Sequence, residues 1–188
     1  MPGTAKAGSL GADVRVLRHA RGLTLVEVAG RVGRSVGWLS QVERDLSAPS
    51  AGEVAALAGA LDAPPEIFAG RAPARESEAG VIVRAAGRRP IGDRVPGLTE
   101  ALVSPDLTDA FEVIHSTFAP GAERAEALSR PTQEVGYVVS GSLRITIGGV
   151  THTVRSGDSF RIRGETYAWA NTGAVPCVVI WVIAPPVY

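Results

Sequence analysis

The chain carries one cysteine, Cys177, in 188 residues, which excludes an intrachain disulfide framework and any metal site built from several thiolates. That cysteine reads as a small buried apolar residue of a strand, with a reactive thiol as the alternative. Long apolar runs are also missing. None approaches the roughly 18 residues that a membrane-spanning helix needs, and the start, MPGTAKAGSLGAD, lacks the apolar core of a signal peptide. A cytoplasmic protein without a membrane partner is therefore expected. Net charge is absent too, with 19 basic against 19 acidic residues, and this counts against nucleic-acid binding, whose affinity comes mainly from neutralising phosphates. The distribution is uneven, however. From Asp13 to Arg44 six arginines (Arg15, Arg18, Arg21, Arg31, Arg34, Arg44) face three acids (Asp13, Glu27, Glu43), and from Arg71 to Arg94 six more face Glu76, Glu78 and Asp93. There is no low-complexity tract and no solenoid period.

What remains is a globular composition, 45% hydrophobic and 20% charged, in a chain long enough for two small domains. Leu10, Val14, Leu17 and Ala20 recur at helical spacing and Gly22 follows, which predicts a first helix. Thr24 with Glu27 makes a capping box that opens a second helix at Leu25, with Val28 and Val32 on its apolar stripe, and Gly33 is the residue type that stops it. Ser35 caps a third, amphipathic helix over 36–44, with Leu39 and Val42 inward and Gln41 and Arg44 on the polar side. Ser50 with Glu53 repeats the capping box for a fourth helix bearing Val54, Leu57, Ala58 and Leu61. Pro64 and Pro65 start a fifth short helix that ends near Phe68. The domain is read as 9–68, a five-helix all-α unit containing helix, glycine turn, helix.

AGRAPARESEAG (69–80) has no apolar periodicity and reads as a linker. Over 81–188 the pattern changes to short runs rich in Val, Ile and Thr between turn residues: VIVR, LTEALVSP, FEVIHSTF, EVGYVVSG, LRITIGG, VTHTVRSGDSF and CVVIWVIA. Hairpin turns are expected at Ser140-Gly141, Gly148-Gly149 and Asn171-Thr172-Gly173. Many short strands without helices predict an antiparallel sandwich or barrel.

A helix pair alone suits any small bundle as well as a DNA reader. The wider pattern LRHARGLTLVEVAGRVGRSVGWLSQVERDLSAPS closely resembles the lambda-repressor-like, or xenobiotic-response-element, family of helix-turn-helix regulators, through Leu17, Arg18, Arg21, Gly22, Leu23, Thr24, Leu25, Ala29, Gly33, Leu39, Ser40, Glu43 and Pro49. The resemblance implies that Ser35, Val36, Gly37 and Gln41 face base edges. Gln41 can bridge an adenine edge and Val36 can meet a thymine methyl, whereas Gly37 reads nothing. Arg34, Ser40 and Arg44 are the implied phosphate contacts, with amides at the start of the second helix. Arg18 and Glu43 match an ion pair that braces the third helix on the first. Asp45 stands where the family often has glycine. Trp38 is read as packing rather than base stacking.

Pro120-Gly121, Glu134 seven residues before Gly141, Ser156-Gly157-Asp158 and Asn171 resemble the two motifs of the cupin β-barrel, a double-stranded β-helix. The family's metal is held by three histidines and a glutamate. Glu134 occupies the glutamate position, but the histidine positions fall at or beside Leu128 and Arg130 and at Tyr167, so no metal and no cofactor is expected. His19, His115 and His152 lie elsewhere. Arg130 near Glu134 reads either as a buried ion pair or as part of a pocket for an anionic or polar ligand walled by Tyr167, Trp169 and Trp181.

The resemblances together imply a transcriptional regulator, not an enzyme. It would bind a double-stranded DNA operator as a homodimer joined through the barrel, and the barrel would sense a small-molecule effector. The alternative is a metal-dependent cupin enzyme of oxygenase or epoxidase type. A third reading makes the barrel a dimerisation module with a filled interior.

Overall fold

The computed structural model describes residues 9–68, 76–78, 80–91, 95–105, 107 and 109–187; most of the expected linker, 69–75 and 79, lies outside them. Two units are distinguished, one from the described residues up to Arg89 with those of 104–109, the other from 90–103 and 110–187.

The first unit contains α1 (Leu10–Ala20), α2 (Leu25–Val32), α3 (Val36–Val42) and α4 (Ala51–Ala60). The fifth helix expected after Pro64 is instead a single 3-10 turn, Pro65–Phe68. Four residues are too few to start a ladder of i to i−4 bonds. The capping chemistry determines the starts. Thr24 accepts the Glu27 amide at 3.2 Å while the Glu27 carboxylate accepts the Thr24 amide at 2.7 Å, and Ser50 and Glu53 repeat the exchange. Gly33 closes α2 at φ 69°. The apolar stripes of the four helices meet in a core of Val14, Leu17, Val28, Leu39, Val42, Leu57 and Ala58, none more than 1% exposed.

Helix α3 ends at Val42, two residues before the expected Arg44, and the chain turns through Asp45 at φ 56°. A side chain at positive φ needs local compensation, and the Asp45 carboxylate supplies it by accepting the Gly11 amide at 2.9 Å and the Ser9 hydroxyl. Gly11 is required by this close approach, because a Cβ there would stand 2.2 Å from the Val42 carbonyl oxygen. We expect Gly11→Ala to destabilise the helical unit by about 2 kcal/mol through overpacking, measured by urea denaturation; an unchanged midpoint would show that α1 shifts without cost.

VIVR, expected as the first strand, is a turn followed by irregular chain and a 3-10 turn, Ala85–Gly87. The amides of Val81 and Ile82 both donate to the Glu78 carbonyl, at 3.0 and 2.9 Å, so they are spent locally rather than on a ladder. Beyond it, the Arg89 guanidinium is buried in the helical unit, donating to the Ile67 carbonyl at 3.0 Å and standing 2.7 Å from the Asp13 carboxylate.

The strands are β1 (Arg89–Ile91), β2 (Leu98–Leu102), β3 (Glu112–Phe118), β4 (Glu123–Leu128), β5 (Gln133–Ser140), β6 (Ser142–Ile147), β7 (Val150–Arg155), β8 (Ser159–Arg163), β9 (Tyr167–Ala170) and β10 (Cys177–Ala184). They form a six-stranded sheet in the order β1-β2-β3-β10-β5-β8 and a four-stranded sheet in the order β4-β9-β6-β7. The expected closed barrel is therefore two antiparallel sheets, and among the described residues no ladder joins β7 to β8. The Ser156-Gly157-Asp158 turn carries the chain from one sheet to the other, with the Asp158 carboxylate accepting the Arg155 amide at 2.8 Å.

Of the three expected hairpins, Gly148-Gly149 is one, joining β6 to β7. Ser140-Gly141 and Asn171-Thr172-Gly173 are corners between sheets. At the first, Gly141 has φ 79° and its missing Cβ leaves room for the Pro176 carbonyl. At the second, the buried Asn171 carboxamide donates to the carbonyls of Phe118 and Val175, each at 2.9 Å. Cys177 is fully buried on β10 and burial pushes its thiol up to about 11, in keeping with an apolar strand residue. Among the described residues no helix is long and apolar enough to cross a membrane.

Candidate functional site

Val36, Gly37, Ser40, Gln41 and Arg44 recur at one, four, five and eight residues from the first, which places them on one arc of α3 and its continuation. Val36, Gly37, Gln41 and Arg44 are exposed and Ser40 is half-buried, while Leu39 and Val42 on the opposite side are buried. Ser35 is the N-cap, its hydroxyl oxygen accepting the Trp38 amide at 3.1 Å, which leaves its own proton free to donate. Arg44 donates to the Ser40 carbonyl at 3.0 Å. Arg34 pairs with Glu53 at 2.7 Å and lies 5.7 Å above the Trp38 ring. Trp38 is thus half-buried and covered. The Ser50 amide and hydroxyl, which lower the Glu53 carboxyl below its ordinary range, keep that partner ionised. An exposed pair of this kind is worth little, so a phosphate can take Arg34 from it.

What fixes this arc is on its other side. Arg18 on α1 grips Glu43 with two bonds, Nε to Oε1 at 2.6 Å and Nη2 to Oε2 at 2.9 Å, and donates a third to the Leu23 carbonyl at 3.0 Å. Both side chains are buried. The guanidinium pKa is raised above its ordinary value, chiefly by the hydrogen bond to Glu43. The end of α3 is thereby tied to α1 and to the chain entering α2.

In the second unit, Glu134 on β5 points between the sheets and is 1% exposed. The Thr132 hydroxyl donates to its Oε1 at 2.7 Å and the Tyr167 hydroxyl to its Oε2 at 3.4 Å. Of the two readings of Arg130 beside Glu134, the ion pair is not formed; the carboxylate is satisfied by hydroxyls, and the half-buried Arg130 acts on Tyr167 through its charge. The Tyr167 ring lies 6.4 Å from that of Trp181, which meets Phe160 edge to face at 5.1 Å. Trp169 packs instead on Phe118, edge to face at 4.6 Å. The structure therefore gathers Glu134, Tyr167 and Trp181 and sets Trp169 against a different partner.

Two residues of this cluster escaped sequence reasoning. Thr132 stands just before β5, two residues before Glu134 and buried on the same side, a polar residue at that spacing being the signal. Phe160 was signalled by Gly136, a glycine inside a strand: a Cβ on Gly136 would stand 2.3 Å from the Phe160 ring.

The cupin fold implies a metal, and the donors do not fit one. Around Glu134 stand a hydroxyl and a phenol, and the three histidines belong to other elements: His19 to α1, half-exposed His115 to β3, exposed His152 to β7. Among the described residues no group of three or more His, Cys, Asp or Glu could hold a metal ion.

Burial pushes the Tyr167 phenol up to about 12, helped by the Glu134 charge and opposed by that of Arg130. Above the ordinary value of 10.0 the unfolded chain gives up this proton while the folded protein keeps it. Stability is therefore lost as pH rises from about 10 to about 12. Tyr167→Phe is expected to lose less stability than the native protein between about pH 9 and about pH 11 in urea titrations. Equal losses would remove the phenol as the cause, since Cys177 titrates in both proteins.

An α3 arc braced from behind, joined in one chain to a two-sheet β unit, defines a protein with a helix-turn-helix DNA-binding domain followed by a cupin domain. Residues 9–69 match the helix-turn-helix domain family and residues 114–183 the cupin domain family. With these two domains in this order, the chain is similar to the lambda-repressor-like helix-turn-helix regulators that carry a C-terminal cupin domain. It is 24% identical over 176 residues to the HTH-type transcriptional regulator PuuR of Escherichia coli K12, covering 92% of each chain. Among solved structures it is similar to an HTH_3 family transcriptional regulator from Vibrio cholerae, at 18% identity and TM-score 0.45 over 95% of this chain and 96% of that one. It is also similar to KdgF from Halomonas sp., at 19% identity and TM-score 0.51 over 57% of this chain and 96% of that one.

Proposed function

We propose that the protein is a cytoplasmic transcriptional regulator that lays the α3 arc in the major groove of an operator and binds two half-sites as a homodimer, its cupin unit sensing a small molecule. The observation that carries this reading is the arc of exposed Val36, Gly37, Gln41 and Arg44 with half-buried Ser40 among them, held from behind by the buried Arg18 and Glu43 pair. With Gly37 lacking a side chain, base readout rests on Gln41, with Val36 and Ser35 beside it. So few contacts do not give specific occupancy from one module, which calls for a dimer.

The outer face of the larger sheet suits that dimer. Val113, His115 and Thr117 of β3, Val178, Ile180 and Val182 of β10, and Val135 and Tyr137 of β5 lie side by side by register, with Val139 at the irregularity that follows on β5. Val135, Tyr137, Val139 and Val182 are between 41% and 49% exposed. The three central strands of this face carry no carboxylate, lysine or arginine there, and Arg161 and Arg163 of β8, opposite Val135 and Gln133, stand at its rim; an apolar centre repeated about an axis meets itself, as a two-fold interface requires. The donor set around Glu134 disfavours the metal-dependent enzyme reading.

The test starts from an operator selected out of random DNA with the full-length protein. Gln41→Ala is expected to weaken that operator by about tenfold and to relax the preference at one base position. Arg44→Ala weakens all sequences alike and lowers the salt slope by about one. Salt-insensitive binding without sequence preference would overturn the reading.

A further inference from the structure

Strands β7 and β8 are edges of different sheets, and the space between them is a cavity of about 660 Å³. This is within the range of small-ligand pockets. Its floor comes from the inner face of the smaller sheet, where Ile145 pairs with His152 and Ile147 with Val150, and from Phe160 of β8. In a closed barrel these side chains would be covered. Here Ile145 is fully buried, yet Val150 on the same inner face is 58% exposed and His152 is exposed as well. The cavity is lined as well by the imidazole His152 and by Arg161, which follows Phe160 on the edge strand β8 and pairs with Val135, and by no carboxylate.

We propose that this cleft is the effector site and that it takes a small apolar carboxylate. The hydrocarbon part covers Ile147, Val150 and Phe160, and the carboxylate sits at the open edge, where it accepts hydrogen bonds from His152 of the inner face and from Arg161 reaching round the edge of β8. Such an occupant completes the inner face that the open edge leaves wet and answers a lining that holds a guanidinium and no carboxylate. Phe160 relays the event, because it meets Trp181 edge to face at 5.1 Å. Trp181 lies on β10, whose next residue, Val182, belongs to the face assigned above to the dimer. The inference rests on the reading of the cupin unit as a sensor, and it places the sensing beside the Glu134 cluster, with Phe160 common to both.

The full-length protein is titrated without DNA with benzoate, phenylacetate and hexanoate, with benzylamine and benzyl alcohol as controls, by tryptophan fluorescence and calorimetry. The carboxylates are expected to bind and the controls not. His152→Ala and Arg161→Ala each weaken binding by about tenfold, and Val150→Asp, at an exposed position, abolishes it while circular dichroism stays native. Binding that ignores all three substitutions, or no binding of any carboxylate, overturns the proposal. Operator affinity is measured separately on the same proteins, so a cleft that fails while operator binding persists leaves the regulator reading standing.

Discussion

Glu43→Ala is expected to lower the stability of the helical unit by about 3 kcal/mol, the cost of stranding one member of a buried ion pair. Three facts determine the size of the loss. Both side chains are buried, the contact is two-pronged at 2.6 and 2.9 Å, and Arg18 keeps only the Leu23 carbonyl and His19 as partners once the carboxylate is gone. In a unit of this size the melting temperature falls by about 10 °C or more. Operator affinity falls with it, since Glu43 caps the end of the helix that presents Gln41 and Arg44. Replacing both partners, as in Arg18→Met with Glu43→Leu, recovers most of the stability, because well-packed apolar residues substitute for a buried pair at little cost. Calorimetric melting and operator binding on the three proteins check this. If Glu43→Ala leaves both unchanged, the bracing role is wrong.

The helical half was legible because its rules are local. Thr24 with Glu27 and Ser50 with Glu53 are contacts three residues apart, and Gly33 closes α2 by its own backbone conformation. Asp45 was not legible in the same way. Its positive φ is supported from Ser9 and Gly11, more than thirty residues away. The β half shows the same division. Ser140-Gly141 and Gly148-Gly149 have similar turn chemistry, yet one is a corner and the other a hairpin, because the partner of each flanking strand is chosen by the sheet and not by the turn. VIVR has strand composition, but its amides close onto Glu78. ERAEAL has no apolar alternation and still forms β4, an edge strand with no buried side chain to announce it. At the interior, Glu134 and Tyr167 stand at motif positions and Trp181 reads as a pocket wall, whereas Phe160 depends on strand register and Thr132 on the turn before β5, and the hydroxyl of Thr132 takes the role that one reading gives to Arg130.

Val182→Asp is expected to convert the proposed dimer to monomer and to weaken the selected operator by about a hundredfold or more, the loss of linked binding at two half-sites. Val182 is 41% exposed on β10, between Val113 of β3 and Val135 of β5, so one monomer accommodates a carboxylate there in water. In a two-fold interface the same substitution appears twice across one axis, and two unpaired charges leave water together, which is costly unless they are paired. The monomer therefore keeps its fold while the dimer loses its contact. Val182→Thr, of similar shape and uncharged, separates charge from packing and is expected to keep the dimer. Sedimentation velocity gives the assembly state and fluorescence anisotropy the operator affinity. A half-site duplex adds the decisive comparison: its affinity should be the same for native protein and Val182→Asp, because one α3 arc reads one half-site whether or not a second copy is attached. A Val182→Asp protein that stays dimeric with native operator affinity would move the dimer contact off this face, and a half-site affinity that falls with it would mean that the substitution harms the reader itself.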